Sequence, residues 1–466
     1  MTELMREHYL HFSGQKDELE IEAIYERHAD LYSRAAVEEL RGGGNRELLM
    51  FAVQGLIGQE TKAEEAELAR REAALVIEVD DEKMPLRQSP VIQANEPDPD
   101  RRWAIHSARL EASERELMPL QLANHERAAA ITKELGWSSM LELCEELSGI
   151  DLGELERQTE AFLASTEEIY EPTLEPELRN HLGFGFDELR PSDIPAFMRA
   201  PTLDAAFPPE QAIPALRKTL AGLGIDLDNQ SNVIVDAEVR PTKTPRAFCA
   251  PVRVPGEVYL MISPQGGRDD TETLLHEAGH TEHFAHVQPG ASFERRFLGD
   301  NSFTEAFAFL FQYLTESPAW LEDVLGVEAG PLAGYSEAVN LLFLRRYSAK
   351  LAYERRLHAP GVDLSAMPDE YERRLTDALH FPATRARWLE DVDPFFYAAC
   401  YIRAWATERT LRGYLRERFG ERWFAEAAAG DLLREVWSKG QRGLAEELLA
   451  ELGAPALIDL SVLVPA

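Results

Sequence analysis

Cysteine is scarce in this chain: Cys144, Cys249 and Cys400 are its three, widely separated along 466 residues. So few and so scattered, they exclude a disulfide framework and a thiolate zinc site, and they read as buried free thiols of a reducing compartment. Basic residues are also in short supply, 48 lysines and arginines against 82 aspartates and glutamates, for a formal charge of −34. A surface that acidic repels phosphate backbones and anionic lipid, so neither nucleic acid nor a membrane is expected as a partner. No apolar run reaches the length of a bilayer crossing. Residues 1–10 carry acidic side chains and no apolar stretch, so a secretory signal is not expected and the expected location is cytoplasmic. Internal repeats and low-complexity tracts are missing as well.

What is present has the balance of a globular protein, with 45% hydrophobic residues, enough for a sizeable core and against bulk disorder. Apolar residues at helical spacing predict a helix over residues 17–40, ended by Gly42, Gly43 and Gly44. Asn45 can cap the next helix, which runs toward Val76. A polar, proline-bearing connector follows over residues 80–100. Helical patterns return over 101–147 and 152–170, and residues 181–214 read as a hinge rich in proline, glycine and aspartate. Three runs with alternating β-branched residues, 232–240, 246–252 and 257–262, predict a small antiparallel sheet. Helix resumes at Thr271, broken near Pro318, Gly330, Pro360 and Pro382. The fold class expected is mainly α. The expected organisation is an N-terminal helical lobe (1–190), a hinge with a connecting helix (191–231) and a catalytic region (232–466).

The chemistry concentrates at residues 271–280, TETLLHEAGH. Four residues of helix return a side chain to the same face, so His276 and His280 can aim at one ion. Glu277, one position on, projects beside that ion, where a carboxylate can take a proton from an activated water. A helix with two partly buried histidines is the plain alternative. Zinc needs a third protein ligand. His286 stands six residues after His280, but a sharp turn would be needed where His283 stands. Glu305 lies early in a second, very apolar helix; alternatively it only caps that helix, since Ser302 and Glu305 form a capping-box pattern.

The motif resembles that of the thimet oligopeptidase and oligoendopeptidase F family of zinc metallopeptidases, more distantly that of angiotensin-converting enzyme. The family's H-E-F-G-H-A-L-H reappears as HEAGHTEH over residues 276–283. The family's third zinc ligand is a glutamate about as far downstream as Glu305, so the resemblance selects Glu305. It implies one zinc per chain, a neurolysin-like helical body with a deep substrate channel and a small sheet beside the active-site helix, and hydrolysis of short peptides. Residues 393–405 resemble the family's tyrosine-rich segment, which makes Tyr397 and Tyr401 the expected donors to the tetrahedral intermediate. Ala404 replaces a third tyrosine, and Asp391 falls where a histidine would stand. Arg403 is read either as a hold for a peptide carboxylate or as an ordinary salt bridge, and His283 as a substrate-binding residue. Phe309 occupies the position of the carboxylate that often braces a zinc histidine, so Glu272, Asp300 or a backbone carbonyl is expected to do so. The strand at 257–262 is expected to pair with substrate. A carboxypeptidase-like exopeptidase and a non-catalytic zinc-binding scaffold are the alternatives.

Overall fold

Helices make up most of the chain, as its periodicity requires. The computed structural model describes residues 1–244, 246–441 and 443–465. These fall into two units, each assembled from separated stretches: one mainly from Met1–Ala29, Thr202–Ala333 and Cys400–Leu463, the other mainly from Asp30–Pro201 and Gly334–Ala399. No described helix is long and apolar enough to cross a membrane.

The second unit is helical except for one hairpin. Asn45 caps the helix Arg46–Ala74, its side-chain oxygen accepting from Leu48 N at 2.9 Å. The helix expected over 17–40 is two, Ile21–Arg27 and Arg34–Gly43, because Ser33 caps a fresh start by accepting from Ala36 N at 3.2 Å. The stretch expected to be a connector opens inside a hairpin: β1 (Val76–Val79), just ahead of it, pairs antiparallel with β2 (Glu82–Pro85). Asp80 and Asp81 close it with φ of 52° and 66°, as a two-residue hairpin demands. Burial holds it in place: Ile77, Val79 and Met84 join one core cluster with Ile105, Ala112 and Leu117.

The first unit carries β3 (Val233–Asp236), β4 (Phe248–Arg253) and β5 (Glu257–Met261), in the spatial order β3-β5-β4. β4 and β5 are antiparallel as expected, but β3 and β5 are parallel, so the sheet is mixed. Successive strands do reverse direction; inserting β5 between the other two makes parallel neighbours of β3 and β5. The N-terminal helix Thr2–Phe12 packs on β4. Its Tyr9 ring stacks on Tyr259 at 3.8 Å, and the Tyr9 hydroxyl donates to Asp236 at 3.0 Å.

Two helices of this unit follow the sheet and lie against each other, Arg268–Ala285 (the motif helix) and Asn301–Gln312 (the Glu305 helix). Gly279 permits their approach. A Cβ built there would stand 2.4 Å from the Phe307 carbonyl oxygen, a backbone atom that cannot swing aside. Gly279→Ala should therefore cost about 1–3 kcal/mol or more, the usual penalty of overpacking. Chemical denaturation checks this; a variant as stable as the parent would contradict the close crossing.

Candidate metal centre

The motif helix brings its histidines together as four-residue spacing dictates, with ring centres 4.9 Å apart and planes at 82°. Glu305 faces both. Its Oε2 lies 3.3 Å from His276 Nε2 and 3.6 Å from His280 Nε2. The three ligand atoms all lie within 4.8 Å of one another. Glu305 is not the helix cap: Asp300 is, accepting from Ser302 N at 3.0 Å. Burial opposes the Glu305 charge, but the neighbouring His280 and hydrogen bonds from both imidazoles outweigh it and hold the carboxyl well below its ordinary range. Burial lowers His280, yet Glu305 outweighs it and the imidazole is raised.

Each imidazole is also held at its other nitrogen. His276 donates from Nδ1 to Gln312 Oε1 at 2.9 Å, and His280 Nδ1 lies 2.8 Å from Thr304 Oγ1. An amide oxygen only accepts, so His276 Nδ1 carries a proton, and Nε2, turned to Glu305, is the nitrogen a metal would take. The braces expected from sequence are engaged elsewhere. Glu272 pairs with Arg268 at 2.6 Å and accepts from Thr315 at 3.0 Å. Asp300 is taken by its cap and by Arg403. The available signal for Gln312 was its place two turns after Glu305 on an otherwise apolar helix.

Glu277 is half-buried and fixed to the sheet: its Oε2 accepts from Cys249 N, on β4, at 2.8 Å. β5, expected to pair with substrate, is paired on both sides by β3 and β4, so that expectation is corrected.

The expectation for His283 is corrected, and of the two readings of Arg403 the salt bridge is the one found. His283 has no exposure, and its ring lies among those of Phe284, Phe303 and Phe307 at 5.1–5.9 Å. Burial pushes its imidazole down to about 3, so it is a neutral core residue out of reach of substrate. Arg403 is 2% exposed and donates to Asp300 at 2.6 Å, Ser302 at 2.9 Å and Glu446 at 2.5 Å. Its guanidinium is used inside the fold, where it supports the start of the Glu305 helix. His286 ends the motif helix, its Nδ1 2.8 Å from the Glu282 carbonyl oxygen.

Tyr397 opens the helix Tyr397–Phe419, and Tyr401 follows one turn later. Tyr401 packs edge-on against Phe309 at 5.9 Å, and Phe309 in turn packs on His276 at 5.1 Å, which sets Tyr401 one ring away from the histidine pair. Asp391 offers no donor: it pairs with Arg346 and accepts from the Tyr371 hydroxyl at 2.7 Å.

This helical architecture is that of oligoendopeptidase F and PZ peptidase. The chain is similar over 99% of its length to a PZ peptidase A solved with an inhibitor, with a TM-score of 0.72, 17% identity and 89% of that chain covered. An oligoendopeptidase F from Bacillus anthracis gives 0.66 at 16% identity, covering 98% of this chain and 86% of that one. A further oligoendopeptidase F gives 0.60 at 16% identity, covering 97% and 88%. At such identities the likeness is one of fold. No protein-family model and no curated protein matches the sequence.

Proposed function

We propose that the protein is a zinc-dependent metallopeptidase that hydrolyses bonds within short peptides. The observation that carries this reading is the facing of His276, His280 and Glu305 with Glu277 alongside. The donor set fits zinc in kind, two neutral imidazoles and a carboxylate, and in spacing. Ligand atoms at about 2.0–2.1 Å in a tetrahedral zinc site stand about 3.3–3.4 Å apart, close to the 3.3 and 3.6 Å that separate Glu305 from the imidazoles. When bound, zinc supplies Lewis acidity, which lowers the pKa of water and polarises a carbonyl.

The chain's own residues account for the rest. Glu277, fixed by the Cys249 amide, takes the proton of the attacking water and passes it to the leaving amine. Gln312 and Thr304 keep both Nε2 atoms turned to Glu305. Short peptides are supported as substrates by the oligopeptidase fold, and a hydroxyl from Tyr401 or Tyr397 shares the developing oxyanion. The test is metal content and peptide turnover of the purified chain, with and without chelator. One zinc per chain, chelator-sensitive turnover and internal cuts support the reading. Metal without turnover on any peptide library would make the chain a scaffold, and cuts confined to C-termini an exopeptidase.

Removing one oxyanion donor costs about 100- to 1000-fold in turnover. Tyr401→Phe is expected to lose that much with little change in KM, and Tyr397→Phe is its companion. Phenylalanine keeps the ring and its packing, so kinetics alone decides. Parent-like turnover in both single variants and in the double variant would place the donor elsewhere. His380 is a poor substitute, since Glu171 and Glu167 hold its two nitrogens at 2.7 and 3.0 Å.

A further inference from the structure

The second unit carries a half-open cavity of about 260 Å³ that the proposed peptidase chemistry does not use. Its wall is largely apolar, with Leu342, Leu375 and Phe381 among the lining residues. Into this wall are set His106 and Arg109, one turn apart on the helix Pro99–Glu116, and Arg387 on a neighbouring segment. His106 is 4% exposed, and among the described residues neither ring nitrogen has a hydrogen-bond partner. The buried Nε atoms of Arg109 and Arg387 have none either. A buried polar group without a partner is costly, and three on one cavity wall require an explanation.

The charges around the cavity are unequally matched. Arg346, also in the lining, is paired with Asp391. Arg387 has Glu390 at 3.8 Å. Arg109 is left with no ion pair among the described residues. One unmatched guanidinium in an apolar wall suits a single negative charge on an apolar body. A multiply charged anion would need more cations and fewer apolar neighbours. Burial, aided by the charges of Arg109 and Arg387, pushes His106 down to about 4, so its ring is neutral and offers one N–H and one lone pair.

We propose that this cavity binds a small amphipathic monocarboxylate, its chain among Leu342, Leu375 and Phe381 and its carboxylate on Arg109, with His106 as the second donor. No residue that lines the cavity belongs to the metal centre. Trp103, whose ring stacks on His106 at 5.8 Å, supplies a local reporter.

The test is titration of the full-length chain with octanoate, by calorimetry and by tryptophan fluorescence. Octanol is the control for chain without charge, and inorganic phosphate the control for charge without chain. Octanoate should bind once per chain and change the fluorescence, and Trp103→Phe should abolish that change without abolishing binding. A hydrogen bond to a charged group is worth roughly 10- to 100-fold, so Arg109→Gln should weaken octanoate by about that factor and leave octanol unaffected. His106→Phe, which keeps the ring, should weaken octanoate in the same direction and serves if the arginine variant fails to fold. Glu277→Gln should bind octanoate like the parent. The proposal is overturned by no saturable binding, by phosphate binding as well as octanoate, by octanoate affinity unmoved in both Arg109→Gln and His106→Phe, or by loss of binding in Glu277→Gln.

Discussion

Glu277→Gln is expected to retain one zinc per chain, keep the parent's melting temperature and lose nearly all peptidase activity. The two side chains have the same shape, and glutamine can still accept from the Cys249 amide through its oxygen, so the helix and the sheet stay joined. Only proton transfer is removed, a contribution of typically about 100- to 10,000-fold. The loss should fall on kcat, because the ligands and the peptide-contacting surface are untouched. Metal analysis and steady-state kinetics on the same preparation decide the matter. Turnover equal to the parent's would sink the general-base assignment even if zinc is present.

The second large effect is on the metal itself. Glu305→Ala deletes the only carboxylate facing both imidazoles among the described residues. Loss of an outer-shell partner already costs about 10- to 100-fold in metal affinity, and loss of a ligand should exceed that. His286→Ala should leave zinc content unchanged, since His286 bonds to a carbonyl of its own helix and sits at that helix's end. Competition against a chromophoric chelator measures both variants. If His286→Ala empties the site and Glu305→Ala does not, the choice between the two candidates made here is reversed.

The core of this site was legible because its signal is local. Two histidines four apart on a helix must share a face, whatever surrounds them, and the glutamate between them must lie beside that face. Glu305 was readable only through a resemblance, since its neighbourhood equally allowed a cap; the structure gives the capping role to Asp300. Gln312 and Thr304 went unseen because a neutral polar residue on an apolar helix has no sequence mark until its partner is known. His283 misleads, and Arg403 leaves two readings open, for a related reason. Charge and imidazole look functional in a string of letters, and only burial with an internal partner, or burial among rings, shows otherwise. The hairpin of β1 and β2 did carry a signal, the β-branched residues Val76, Ile77 and Val79 just ahead of Asp80 and Asp81. The polar surroundings hid it. The interleaving of the two units lay beyond composition altogether, because nothing in residues 1–29 announces that they pack with residues past 200.

That interleaving sets an order in which the proposed metal centre can gain its supports as the chain is made. The strand that fixes Glu277 is packed by the helix Thr2–Phe12, made well before it. The start of the Glu305 helix depends on residues that emerge far later: Asp300 accepts from Arg403 and, at 2.8 Å, from the Ala445 amide. A nascent chain that has passed residue 312 already holds all four chemical groups but lacks the arginine and the amide that hold Asp300, the cap of the Glu305 helix. The network that holds the cap of the Glu305 helix is therefore complete only once residue 445 has been made.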